Sequence, residues 1–262
     1  MKFTIDLISD LHIETWEDFD WTGQPTSPYC IVAGDVCRDR DVLVNVLTHL
    51  GQCYAGVFYI DGNDEHRYFL NDLGESYRDL SDRLENIKNV VYVHDNVVIV
   101  NGIAILASNG WWTYDFDQNI DYEQTVHWLR ERYQITDNEA AIISDLAYND
   151  AVYMRNSLRK IQTHQDVKKV IVMTHTVPLP EIIEHDIDLV GNYRFNTMGN
   201  SYITTLLSED TEKKVSTWVF GHYHKLVDTK INGIRYVNNC RGRGDTDFKQ
   251  VAYNPKVITV DF

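Results

Sequence analysis

Five short apolar runs in this chain each lead into a residue that can hold a metal ion. Phe3–Ile8 leads to Asp10-Leu11-His12, Tyr29–Ala33 to Gly34-Asp35, and Gly56–Ile60 to Asp61-Gly62-Asn63-Asp64. Lys169–Met173 runs into Thr174-His175, and Val215–Phe220 into Gly221-His222-Tyr223-His224. Short apolar runs closed by glycine or another turn former fit buried strands. Where the backbone stays extended, side chains two residues apart point the same way, so Asp10 and His12 can reach one ion. His175 alone would pass for a satisfied core histidine and Asn63 for a common turn residue. It is the ordered recurrence at strand ends that constrains the fold.

Between these runs the pattern alternates. Residues 40–52 and 75–88 read as helices, with strands expected around 90–94, 97–101 and 103–107. Buried strands alternating with helices over the first hundred residues argue for a layered α/β fold. In such sheets function gathers beyond the carboxyl ends of the strands, where residues 10–12, 34–35 and 62–64 fall. Glu14 to Pro28 reads as a loop with turn formers Gly23, Pro25 and Pro28, and Ser108 to Phe116 as an aromatic loop. Helices are expected near 121–134 and 138–162. The Asn232-Gly233 pair is a hairpin signal, and strands near 235–238 and 256–261 close the chain.

At 262 residues, 44% of them hydrophobic, the chain suits one domain spanning 1–262, and no linker interrupts it. No apolar run approaches the roughly 20 residues that span a bilayer. The first residues lack the features of a secretory signal, so a cytoplasmic protein with no membrane association is expected. Cys30, Cys37, Cys53 and Cys240 form no close pair and read as reduced thiols. The net charge of −15 disfavours duplex nucleic acid as a partner, because such binding needs many Lys and Arg contacts. A small phosphate ester held by metal ions is compatible with it. Oligomeric state is not legible.

Together Asp10, His12, Asp35, Asn63, His175, His222 and His224 offer three oxygens and four imidazole nitrogens, a set suited to a pair of first-row ions. A carboxylate such as Asp35 can bridge two metals roughly 3.5–4 Å apart and so position a shared hydroxide for in-line attack on phosphorus. Mn2+ is the foremost expectation, with Fe, Zn2+ or Ni2+ as the other ions the ligands accept.

These residues resemble the motifs of the calcineurin-like metallophosphoesterases, whose blocks run Asp-x-His, Gly-Asp, Gly-Asn-His-Asp/Glu, His and Gly-His-x-His. The resemblance spans nearly the whole chain. It implies a four-layer α/β/β/α sandwich of two mixed sheets flanked by helices. It also implies one ion held by Asp10, His12, Asp35 and His224 and a second held by Asp35, Asn63, His175 and His222. Asn109 to Thr113 and Asn239 to Gly242 look like stretches in bacterial and phage members. The implied activity is hydrolysis of a phosphodiester or activated phosphomonoester, including nucleotides. A phosphoprotein phosphatase of the same family, or a catalytically weak metal-dependent protein that binds a phosphorylated ligand, is the alternative.

One departure falls on the chemistry: Asp64 stands where the family has the histidine thought to protonate the leaving oxygen or stabilise charge on the phosphoryl group. Burial or the neighbouring Glu65 would raise its pKa and make it a general acid, whereas cations nearby would keep it ionised. His66 is the alternative catalytic residue. Hydrolysis biased toward esters with good leaving groups is the expectation. Expected substrate contacts are Asn63, Arg38 and Arg241, the arginines because guanidinium suits bidentate oxyanion contacts, with Trp111 and Trp112 as stacking surfaces. Arg243-Gly244-Asp245 resembles an adhesion tripeptide and is read as coincidence.

Overall fold

The computed structural model describes residues 2–16, 24–68, 72–117, 119–246 and 253–262. In chain order the first half contains β1 (Lys2–Ile8), β2 (Tyr29–Ala33), α1 (Arg40–Cys53), β3 (Gly56–Ile60), α2 (Leu73–Leu84), β4 (Val90–Tyr92), β5 (Asn96–Val100) and β6 (Ile103–Ala107). The second half adds α3 (Tyr122–Tyr133), α4 (Asp137–Thr163), β7 (Lys169–Met173), β8 (Val215–Phe220), β9 (Val227–Ile231), β10 (Ile234–Asn238) and β11 (Lys256–Asp261). Gly23 of the expected 14–28 loop lies outside the described residues. Among the described residues no helix is long and apolar enough to cross a membrane.

The strands form two mixed sheets. One runs β11-β1-β2-β3-β4, parallel except for β11; the other runs β5-β6-β7-β8-β10-β9, with antiparallel pairing at both edges. Successive residues of a strand face opposite sides, and both sides are apolar here. Phe3, Ile5, Leu7, Ile31, Ala33, Phe58 and Ile60 of the first sheet meet Ile103, Ile105, Ile171, Met173 and Val219 of the second in the central core. The intervening residues face helices. Cys30, Val32, Val57 and Tyr59 pack on Leu43, Leu47 and Leu50 of α1 and Leu80 and Leu84 of α2. Ala104, Leu106, Val170, Val172, Trp218 and Phe220 pack on Ala151, Met154, Leu158 and Ile161 of α4. This is the expected four-layer α/β/β/α sandwich.

Caps set the helix starts. The Asp72 carboxylate accepts from Glu75 N, so α2 begins at Leu73, two residues before the expected start, and stops at Leu84 rather than 88. Thr136 and Glu139 form a capping box at the head of α4. The Asn232-Gly233 signal is met by a turn with φ of 49° and 90° at these two residues, joining β9 to β10. β9 itself carries no apolar pattern because it is a solvent-facing edge, Val-Asp-Thr-Lys-Ile, of the kind that blunts edge pairing.

Candidate metal centre

The carboxyl ends of β1, β2, β3, β7 and β8 open on one side, and there the backbone turns sharply. Asp10 (φ 49°), His12 (φ 42°), Asp35 (φ 52°), His222 (φ 65°) and His224 (φ 55°) all adopt the left-handed region. Non-glycine residues held there cost of order 1 kcal/mol each and collect at functional sites. Gly34 and Gly62 make the approach possible. A Cβ on Gly34 (φ 82°) would lie 2.5 Å from His175 Nδ1, and one on Gly62 would lie 2.2 Å from Asp35 Oδ1.

The turns gather the side chains into two groups. In the first, one ligand atom each from Asp10, His12, Asp35 and His224 lie within 4.8 Å of one another. His12 Nε2 is 2.8 Å from His224 Nε2 and 3.6 Å from Asp35 Oδ2, and His224 Nε2 is 3.6 Å from Asp10 Oδ1. The second group is Asp35, His175 and His222. His175 Nε2 lies 3.4 Å from Asp35 Oδ1 and 3.2 Å from Asn63 Oδ1. Asp35 thus belongs to both groups, one carboxylate oxygen turned toward each.

The residues fit a pair of cations. His175 Nδ1 donates to Ala33 O at 2.9 Å and His222 Nε2 to Thr197 O at 3.0 Å, which turns the other ring nitrogen of each toward the cluster. Asp10 Oδ2 is buried with no hydrogen-bond partner. Burial opposes charging the His12 and His175 rings, yet the surrounding carboxylates outweigh it and push both up to about 10. Burial and the His175 charge take His222 the other way, to about 3. The carboxylates thus draw two of the rings toward the charged form, and burial keeps a third neutral.

Supporting contacts fix the turns. Glu65, buried, accepts from Asp35 N at 3.1 Å, Val36 N at 2.7 Å and Gly62 N at 2.8 Å, tying the ends of β2 and β3 together. Asp150 on α4 accepts from Gly110 N at 2.8 Å and Trp111 N at 2.9 Å, anchoring the aromatic loop. From that loop Trp112 stacks on His222, ring centroids 5.5 Å apart and planes within 18°.

Several expected roles change. His66 is fully buried and points away from the ligands, with Nδ1 2.8 Å from Ser76 Oγ, Nε2 2.8 Å from Asp61 Oδ2, and Tyr77 and Trp111 against its ring. It is a member of a buried polar network and not a substitute for the missing histidine. Trp111 is likewise fully buried, donating its indole N–H to Tyr77 Oη at 2.7 Å, so only half-buried Trp112 can line a substrate surface. The Arg241 guanidinium lies 3.8 Å over the Trp16 ring and is mostly buried.

Asp64 is 1% exposed, and its Oδ2 accepts from Arg38 Nε at 3.1 Å, from Arg38 Nη2 at 2.9 Å and from Arg243 Nη2. The same oxygen is 3.3 Å from His12 Nδ1. Burial and the Asp35 charge push its carboxyl up, but His12 and Arg243 outweigh them and hold it below the usual range. An ionised Asp64 has no proton to donate. Arg243, set aside in the sequence as part of a chance tripeptide, is the residue that sequence reasoning missed. Its signal was its place two residues beyond Arg241, just past the end of the strand that pairs with β8.

No family model matches the chain. It is 22% identical over 277 residues to uncharacterized protein L509 of Acanthamoeba polyphaga mimivirus, a match covering 94% of each chain. The solved phosphopantetheinyl hydrolase (PptH) of Mycobacterium tuberculosis superposes with a TM-score of 0.69 at 19% identity, covering 92% of this chain and 90% of the other. The chain shares the fold of that hydrolase. GAP50, the anchor in the inner membrane complex of Plasmodium, is also similar, with a TM-score of 0.53 and 12% identity over 98% of this chain and 81% of that one.

Proposed function

We propose that the protein is a metal-dependent phosphoric ester hydrolase acting on a small phosphodiester or activated phosphomonoester, nucleotides among the candidates. The fold alone does not decide this, because function resides in sites carried by folds. The observation that carries the reading is Asp35, placed with one oxygen toward each of two ligand groups. Asp10, His12, Asp35 and His224 would hold one ion, and Asp35, Asn63, His175 and His222 the other. The mixed nitrogen and oxygen donors accept Mn2+, and also Fe, Zn2+ or Ni2+. When bound, such a pair supplies a nucleophile at neutral pH and neutralises phosphoryl charge.

The chain's own residues then do the following. Glu65 and the glycines hold the ligand turns in register, and Trp112 stacks against the His222 ring. Arg38, 22% exposed, offers guanidinium donors to phosphate oxygens at the rim. With Asp64 ionised, no acidic proton is available from that position for a poor leaving group. That supports a preference for esters whose leaving groups depart unaided. The same observation favours the second reading, a catalytically weak protein that binds a phosphorylated ligand. Both sheets contribute ligands, which supports one functional unit over residues 1–262. Four free thiols support a reducing, cytoplasmic setting.

The test is turnover of para-nitrophenyl phosphate and bis-para-nitrophenyl phosphate by metal-stripped protein reloaded with Mn2+. Diester turnover lost in Asp35→Asn supports the hydrolase. Two bound metals with no turnover of either ester rejects it in favour of the binding protein.

A further inference from the structure

We propose that β9 is a dimerisation edge, where the strand pairs antiparallel with the β9 of a second copy of the chain about a two-fold axis at Thr229. The sheet β5-β6-β7-β8-β10-β9 then continues across the axis into the same sheet of the second copy.

The backbone sets the register. β9 is the last strand of its sheet and runs antiparallel to β10. The Asn232-Gly233 turn, with positive φ at both residues, is the two-residue kind that closes a hydrogen-bonded pair, here Ile231 with Ile234. Bonded and non-bonded pairs alternate along an antiparallel ladder. Thr229 and Val227 therefore bond toward Tyr236 and Asn238, whereas the N–H and C=O groups of Asp228 and Lys230 point away from β10. A new antiparallel strand bonds where both edges offer such groups. Asp228 of one copy opposite Lys230 of the other meets that condition twice, and it puts Thr229 on the axis.

The side chains fit the same register. Val-Asp-Thr-Lys-Ile against its own reverse sets Asp228 opposite Lys230 and Val227 opposite Ile231, each twice. Val227 and Ile231 already pack at the margin of the core beneath α4, so each gains an apolar neighbour on that face. On the other face Lys230 stands directly across from Arg235, a like-charge pairing that costs stability. Among the described residues no carboxylate forms an ion pair with Lys230, while Arg235 goes to Asp228. Asp228 accepts from Arg235 Nε at 2.8 Å and Nη2 at 2.9 Å, with Lys256 Nζ 2.8 Å away. A carboxylate has about four acceptor sites, so the second copy's Lys230 finds one open. Charges blunt an edge toward an arbitrary strand, yet against the same sequence reversed they select the partner. Val227 lies beside Asn238, at the end of β10 that faces the ligand turns. Antiparallel pairing therefore sends the two candidate metal centres to opposite ends of the dimer.

Sedimentation velocity over a range of concentrations, with amide hydrogen exchange on the full chain, tests the edge. The wild type is expected to be a concentration-dependent dimer in which the Asp228 and Lys230 amides are protected. Lys230→Pro removes an N–H that faces away from β10, a place where an edge strand tolerates proline, and is expected to be monomeric. Lys230→Glu relieves the like-charge pair within one copy but sets like charges opposite each other across the axis. It is expected to weaken the dimer about tenfold or more, whereas Lys230→Arg keeps it. A monomeric wild type, a dimer whose Asp228 and Lys230 amides exchange freely, or dimers as tight in Lys230→Pro and Lys230→Glu as in the wild type overturn the proposal. Should Lys230→Pro lack a cooperative melt, Lys230→Glu decides alone. Neither metal binding nor ester turnover enters the readout, so the result stands apart from the hydrolase reading.

Discussion

Asp150 offers a test of the electrostatics that does not depend on metals. The side chain lies on α4, 3% exposed, and its Oδ2 accepts the backbone N–H groups of Gly110 and Trp111. Burial, helped by the charge of Asp95, pushes its carboxyl up from 3.8 to about 7. Between those values the folded chain holds a proton that the unfolded chain releases, so stability contributed by this group falls as pH rises and levels off above pH 7. In Asp150→Asn the carbonyl oxygen still accepts both amides and nothing titrates. Across the two pH units from 5 to 7, at about 1.4 kcal/mol per unit, the variant gains about 3 kcal/mol on the wild type. At about 2 °C per kcal/mol for a chain of this size, that is a rise of about 6 °C in its Tm advantage. Thermal melts of both proteins with chelator present, at pH 5, 6, 7 and 8, measure it. Parallel curves, with the same Tm difference at pH 5 and at pH 7, would refute the reasoning, since they would mean that Asp150 is ionised throughout and its charge holds the aromatic loop.

Two further outcomes follow from the site. Gly62→Ala sets a methyl 2.2 Å from Asp35 Oδ1 and 2.7 Å from His175 Cε1; overpacking of this kind costs about 1–3 kcal/mol, and calorimetry should show loss of at least one Mn2+ with a cooperative melt retained. Because carboxylates push His12 and His175 up to about 10, metal must displace their protons, so Mn2+ affinity should rise steadily from pH 6 to pH 8 with proton release; a pH-independent affinity would contradict the assignment of these rings as ligands.

The candidate ligand set was legible because strand ends are where an α/β chain can aim side chains from distant sequence positions at one point. Asp10, Asp35 and His175 are recognisable from the apolar run before each of them and the turn at or beside it. What a local pattern does not carry is the destination of a side chain once its backbone leaves the strand. Asp64, Glu65 and His66 are consecutive, yet a single short turn sends them to two arginines, to the β2 and β3 loops and into the core beside Asp61. Arg241 and Arg243 are two apart, and one packs over Trp16 while the other reaches Asp64. β9 was invisible for a different reason, since an exposed edge strand has no buried face to impose alternation.

The left-handed backbone and the charge imbalance belong to one design. Five candidate ligands, two carboxylates and three imidazoles, are held at φ between 42° and 65°, at a cost of order 1 kcal/mol each, and with His175 they crowd into a space that burial makes hostile to like charges. Neither condition would persist in a site shaped only for folding, where extended turns and apolar residues would be more stable. The contacts that offset the strain lie beneath the cluster: Glu65 on three amides, Ala33 O on His175, Gly34 O on Asp10 N. Those contacts order the ligands before any ion arrives, so binding need not organise the turns. Cations then relieve the repulsion that the fold has already accepted, which is why metal removal should destabilise this end of the sandwich more than the central core between its sheets.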